Sequence, residues 1–273
     1  MSYITRNSIT SPLILQKYSL IHNNNTDCIL IDNNTIETMV IRCVIKNYIR
    51  VSTAYNLTSL VCFECELKNL YLIMIPKLRY LHCGYNSLTN LNVMNLKHLT
   101  HLTCNNNSLS SLNLSKCIHL VRLDCSNNNM NDLSLYGLEK LEELYCSNNK
   151  LTKLNLNKLN QLITLSCGNN ELEKLSTKNI TTLHTIICNN NRLHYLDYSK
   201  NIISINCSNN NLKYLDLNGL TELSFLSCEA NNITSLNLYE TINLNTLNCS
   251  FNSIKKLDTE HINAIFNIDI VYT

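Results

Sequence analysis

The stretch Leu141-Glu-Glu-Leu-Tyr-Cys-Ser-Asn-Asn-Lys-Leu-Thr-Lys-Leu-Asn-Leu-Asn-Lys-Leu159 is one copy of a 21-residue pattern that organises the chain. Leu141, Leu144, Cys146 and Asn149 are followed ten residues later by Leu151, Leu154, Leu156 and Leu159, so each copy has a 10-residue half and an 11-residue half. Steps of 21 from Cys146 land on Cys125, Cys104, Cys83 and Cys62 in one direction and on Cys167 and Cys188 in the other. After one step of 19 the series resumes at Cys207, Cys228 and Cys249. A fixed period of this kind outweighs what a length of 273 residues would ordinarily suggest, and predicts one domain of stacked repeats.

Outward from this copy the pattern decays at both ends. Residues 1–14 fit no copy and read as a leader or a partial N-terminal cap. The solenoid is predicted over 15–273, in three parts. Residues 15–56 hold two degenerate copies (Leu15, Tyr18, Leu20, then Ile36, Met39, Ile41), placed on the same 21-residue grid as Cys62. Residues 57–264 hold the regular repeats, and 265–273 a terminal strand with Ile265, Ile268 and Ile270. The missing two residues between Cys188 and Cys207 fall after Asn201, in the second half of their copy.

The alternation of Leu144 and Cys146 predicts a short strand with these two side chains turned inward. Strands of successive copies then pair in parallel. An Asn stands three residues after each Cys, from Asn86 to Asn252, and Cys65 replaces it once. Its amide both donates and accepts, so it suits a bend that leaves backbone groups unpaired. Leu151, Leu154, Leu156 and Leu159 are expected to fill the core from the returning half. That half is too short for a stable helix, which predicts short strands, 3₁₀ turns or extended chain.

Composition narrows the function classes. A charged fraction of 15% and a net charge of +2 provide no basic field for nucleic acid. No apolar run reaches the roughly 18 residues a membrane span needs, and Met1–Leu20 lacks the pattern of an export signal. The abundance of Asn, Ile, Lys and Tyr is that of an AT-rich genome and suggests a viral or low-GC microbial origin. Of 14 cysteines, ten occupy one repeat position. Neighbouring strands lie about 4.8 Å apart, beyond the roughly 3.5–4.5 Å that a disulfide wants between Cβ atoms, so free buried thiols and a reducing, cytoplasmic compartment are expected.

Leu-x-x-Leu-x-Cys-x-x-Asn-x-Leu resembles the conserved segment of leucine-rich repeat proteins, and the nested halves resemble the short repeat class of bacteria and large DNA viruses. Ten strong copies from Leu57 to Ile254 carry the resemblance. It implies an α/β-type leucine-rich repeat solenoid, a horseshoe of about twelve coils with a parallel β-sheet on its concave face. It also implies a scaffold that binds a protein partner through that face.

Chemical motifs are few. Cys62-Phe-Glu-Cys65 has zinc-ligand spacing, but no second ligand pair follows and the repeat accounts for both residues, so no metal or other cofactor is expected. His82 beside Cys83, and His101 near Cys104, stand an odd number of residues from the thiol and so face the other side of the sheet. No catalytic residues are therefore assigned. The positions that the repeat leaves free are mostly Ser, Thr and Asn. Between Val61 and Tyr145, however, Phe63, Tyr80, His82, Tyr85, His101, Arg122, Asp124, Glu143 and Tyr145 gather on outward positions. Tyr and Arg are frequent interface anchors, so these nine are the candidate patch for a protein partner, with neither nucleic acid nor membrane as ligand. Arg122 and Glu143, on adjacent rungs, also suit a weak surface ion pair. Phe225 and Phe251 form a smaller C-terminal group. The expectation is a non-enzymatic interaction scaffold; the alternatives are a substrate-recruiting adaptor of a ubiquitin ligase and an enzyme with a site on the concave face.

Overall fold

The computed structural model describes residues 18–21, 26–32, 34–41, 45–257 and 267–269. Residues 1–14, and with them Leu15, Val44, Ile265 and Ile270, lie outside the described residues. The chain divides into two compact units, Met1–Leu141 and Glu142–Thr273.

The first unit carries β1 (Tyr18–Ile21), β2 (Thr26–Asp32), β3 (Thr38–Ile41), β4 (Ile45–Ser52), β5 (Ser59–Val61), β6 (Asn69–Ile73), β7 (Tyr80–His82), β8 (His101–Thr103) and β9 (Arg122–Asp124). Its main sheet runs β1-β3-β5-β7-β8-β9, all parallel, and a second sheet runs β2-β4-β6. The second unit carries β10 (Glu143–Tyr145), β11 (Thr164–Ser166), β12 (Lys174–Ser176), β13 (Thr185–Ile187), β14 (Tyr195–Asp197), β15 (Ser204–Asn206), β16 (Phe225–Ser227), β17 (Thr246–Asn248) and β18 (Asn267–Asp269). There the main sheet runs β10-β11-β13-β15-β16-β17-β18, with β12 and β14 paired separately.

The register follows the sequence period. Leu60, Leu81, Leu102 and Leu123 pair in succession in the first unit. Ile186 pairs with Ile205 at an offset of 19, so the two missing residues come out of the return arm and the strand register survives. Ile268 pairs with Leu247, again at an offset of 21. The first copy departs from it. Met39 pairs with Ser19 and Ile41 with Ile21, an offset of 20, whereas the grid placed Tyr18 and Leu20 there.

No helix occurs among the described residues, and the chain is a parallel-stranded solenoid whose return arms are turns, short strands and extended chain, as the repeat predicted. The return arms are built from successive single turns: Cys117 N–H donates to the Leu114 carbonyl at 2.8 Å and Leu120 N–H to the Cys117 carbonyl at 3.0 Å. Most arms that form no strand carry a local turn bond at one repeat position. In Leu112-Asn113-Leu114 the Asn113 Oδ1 accepts the Ser115 N–H at 3.1 Å, and Asn92, Asn155, Asp216 and Asn237 accept in the same way. That local bond competes with pairing to the next arm. Ser176 stands at this position in β12, and Asp197 in β14 turns to the preceding arm, accepting the Thr177 and Lys178 N–H groups at 2.9 and 3.2 Å.

The strands end in a bend that the Asn column completes. Asn170 Oδ1 accepts the Leu151 N–H at 3.0 Å, while its Nδ2 donates to the carbonyls of Cys146, Cys167 and Gly168 at 3.1, 3.1 and 3.2 Å. Asn86, Asn107, Asn191, Asn210, Asn231 and Asn252 repeat this arrangement. The residue just before each Asn takes a left-handed conformation, with φ of 53° at Asn106, 54° at Asn127 and 56° at Asn148. Asn tolerates that region better than most residues, which accounts for the doubled Asn in the sequence.

Inside the bends lies the core. Leu144, Cys146, Leu165 and Cys167 are fully buried, and each buried Leu contributes about 1.5–3 kcal/mol. Leu151, Leu156 and Leu159 join them, but Leu154 is partly exposed, contrary to the sequence expectation.

Replacing Asn170 by Ala leaves a buried amide and buried carbonyls without partners. The expected loss in a urea unfolding titration is about 1–3 kcal/mol; an unchanged midpoint would contradict the assigned role.

Candidate functional site

A three-residue strand presents one side chain inward and its two neighbours outward. On β7, β8 and β9 the inward residues are Leu81, Leu102 and Leu123, all buried. The outward columns are Tyr80, His101, Arg122 and His82, Thr103, Asp124, held in line by the parallel register. Phe63 follows β5 and Tyr85 follows β7, both in the bend.

Two contact groups form on this face of the first unit. Phe63 lies with its ring centroid 4.9 Å from His82 and 5.0 Å from Tyr85, the latter edge to face. Tyr80 stacks on His101 at 4.7 Å, and the Thr100 hydroxyl is 2.9 Å from His101 Nδ1. Burial lowers the His82 pKa against a smaller opposing effect of Asp124, so the imidazole is neutral at pH 7. Asp124 Oδ1 accepts the Ser126 N–H at 3.1 Å and thus serves its own bend. Arg122 pairs in register with His101. Glu143 and Tyr145 belong to the second unit, where the Tyr145 hydroxyl donates to Glu143 Oε2 at 2.9 Å. Of the nine expected residues, five are therefore seen in these aromatic contacts: Phe63, Tyr80, His82, Tyr85 and His101.

Tyr85 is the most telling of them. Its φ of 53° is left-handed, at the position where Asn106, Asn127, Asn148, Asn169, Asn190 and Asn209 stand in other copies. A bulky side chain there carries strain of about 1–2 kcal/mol. Tyr85 nevertheless remains 49% exposed, so core burial does not offset the strain. Phe251 repeats the situation in the second unit, with φ of 53° and 54% exposure. The sequence named Tyr85 and Phe251 as outward aromatics, but not the left-handed backbone at this column. Gly84 was missed. A Cβ at Gly84 would meet Asn105 Oδ1 at 2.3 Å, and that oxygen is buried without a hydrogen-bond partner.

The cysteines stand apart from this face. The twelve cysteines from Cys62 to Cys249 are free and buried. Burial pushes the Cys167 and Cys207 thiols up to about 12, Cys117 to about 11, and Cys83 and Cys188 well above the usual range. Such thiols stay protonated at neutral pH and are poor nucleophiles. His82 is on the sheet surface whereas Cys83 is inside, as the odd spacing predicted. Cys65 does the work of a ladder Asn in part, its Sγ lying 3.4 Å from the Ile41 carbonyl and 3.3 Å from that of Phe63.

The chain is similar to the functional domain of InlJ from Listeria monocytogenes, which includes a cysteine ladder, at 27% identity and a TM-score of 0.80. The match covers 87% of this chain and 55% of that one, so this chain spans little more than half of its length. A leucine-rich repeat protein of Leptospira interrogans is similar at 22% identity and a TM-score of 0.76, over 90% of this chain and 72% of the other. YopM, a leucine-rich effector protein from Yersinia pestis, is similar at 25% identity and a TM-score of 0.68, over 87% and 72%. No family model and no curated protein matches the chain.

Two measurements check these assignments. Iodoacetamide at pH 8 should leave the twelve cysteines from Cys62 to Cys249 unmodified in the native protein and label them all in guanidinium, as read by peptide mass spectrometry; fast native labelling would contradict their burial. Phe251→Asn should raise the unfolding free energy by about 1 kcal/mol, since Asn relieves the left-handed strain and little burial is lost.

Proposed function

For a chain that is a leucine-rich repeat protein with repeats of about 21 residues, we propose the role of a non-enzymatic scaffold that binds a protein partner through the sheet face of its first unit. The single observation that carries the site is Tyr85, an exposed aromatic held in a left-handed backbone conformation that Asn occupies in six other copies. Strain kept at an exposed position argues for a purpose outside the fold. Phe63, His82 and Tyr85 make an aromatic cluster that can close around an apolar or prolyl side chain, and Tyr80 and His101 make a second platform. Arg122 and Asp124 add one charge of each sign beside them, which suits a peptide chain better than a polyanion. A net charge of +2 points the same way.

The likeness to YopM, described as an effector, supports an interaction role over a catalytic one. Twelve free, buried thiols suit a reducing, cytoplasmic setting, which we propose as the place of action. No helix among the described residues is long and apolar enough to cross a membrane.

The test is affinity capture from host lysate with the native chain and with a Tyr80→Ala, Tyr85→Asn, Arg122→Ala variant, both shown to be folded by circular dichroism. Removing aromatic and Arg anchors should weaken a captured partner by about 2 kcal/mol or more. Equal capture by both chains would remove the site.

A further inference from the structure

Leu154 is an outlier in its column. Leu133, Leu175, Leu215 and Leu236 at the same repeat position are buried, whereas Leu154 is partly exposed. It sits in a cleft of about 910 Å³ within the second unit, between the return arm 152–160 and the next arm 173–180. The two arms are joined where Glu171 N–H donates to the Leu151 carbonyl at 2.9 Å and again where the Thr182 hydroxyl donates to the Asn160 carbonyl at 3.0 Å. Between those points they part, for reasons already on the molecule. Asn155 takes the Asn157 N–H at 3.0 Å and keeps its arm out of a ladder, while Asp197 draws the following arm the other way, toward β14.

The parting leaves β12 with an open edge. Glu173 accepts from His194 N–H at 3.0 Å and Thr177 N–H donates to the Asp197 carbonyl at 3.1 Å, so the backbone of 173, 175 and 177 serves β14. By the alternation of a parallel ladder, the N–H and C=O groups of Lys174 and Ser176 point the opposite way, into the cleft. Among the described residues they have no hydrogen-bond partner there. Leu154, Leu156 and Ile180 provide apolar lining, and Lys153, Lys158 and Lys174 stand around it against Glu173 alone. Lys158 has a φ of 68°, a left-handed conformation that Gly137 and Gly219 supply in the corresponding turns.

We propose that this cleft is a second docking site, which takes an extended acidic segment of a partner protein as an added strand on the open edge of β12. Main-chain bonds to Lys174 and Ser176 hold the segment. Its alternate side chains then turn to Leu154 on one side and to the lysines on the other. Charge selects the partner: three lysines against one glutamate favour carboxylates. The site is on the return arms and is independent of the aromatic sheet face.

The test uses the full chain and a fluorescein-labelled peptide, Ac-Glu-Val-Glu-Val-Glu-Val-Glu-amide, followed by fluorescence anisotropy. Saturable binding is expected, lost when Lys replaces each Glu. Versions N-methylated at every second residue should differ, the register whose N–H groups face β12 losing binding. Ser176→Pro removes only an N–H that faces the cleft and leaves the bonds to β14, so it should fold and bind the peptide at least about 10-fold more weakly. If it fails to fold, Lys153→Glu with Lys174→Glu gives the same reading. The Tyr80, Tyr85, Arg122 variant should bind the peptide as the native chain does, which separates this site from the sheet-face reading. Absence of saturable binding, equal binding by both methylated registers and the parent, or native affinity in folded Ser176→Pro overturns the proposal; the second result would mean a polyanion held by lysines alone.

Discussion

The main-sheet strands from β7 to β17 each end after three residues in the same bend, and a bend of that tightness strands backbone groups inside the protein. The Asn carboxamide resolves this with one side chain. It takes an N–H from the coil before and gives its own two hydrogens to carbonyls of both coils, as at Asn170 and Asn231. Neither Asp nor Leu can do both. The short strands, the packing of Leu and Cys behind them and the outward columns in front all depend on that exchange.

The same dependence explains what could be read before any coordinates. The strand register from Leu60 onward, the inward Leu and Cys and the terminal pairing of Ile268 all follow from period and alternation. What escaped was local competition. Asn155 and Ser176 occupy equivalent positions, yet one closes a turn on itself and the other lies in a strand, and a repeat consensus records both simply as small polar residues. Leu154 was assigned to the core because its column is core, but the two arms beside it go different ways. At the first copy Ser19 and Ile21 pair where Tyr18 and Leu20 were placed.

The site was legible as a list and not as an arrangement. Outward positions near the strands follow from alternation, so Tyr80, His82 and His101 could be named. That Phe63 reaches both His82 and Tyr85 depends on the bend, where φ changes sign and side-chain direction no longer follows the strand. The strain at Tyr85 has the same origin. A repeat fold leaves few places where sequence can vary without loss, and a position whose usual occupant is favoured by the backbone is a costly place for an aromatic side chain.

The ladder also has a direction. Leu151 has its N–H accepted by Asn170, and Leu193 by Asn210, always by the Asn of the coil that comes later in the chain. A coil emerging from the ribosome is thus left with an exposed amide that only the next stretch of nascent chain can cover. Growth from the N-terminus then resembles a zip closed tooth by tooth, each tooth locking the one before it. A stop at any coil boundary would leave one raw end, and it would always be the newest.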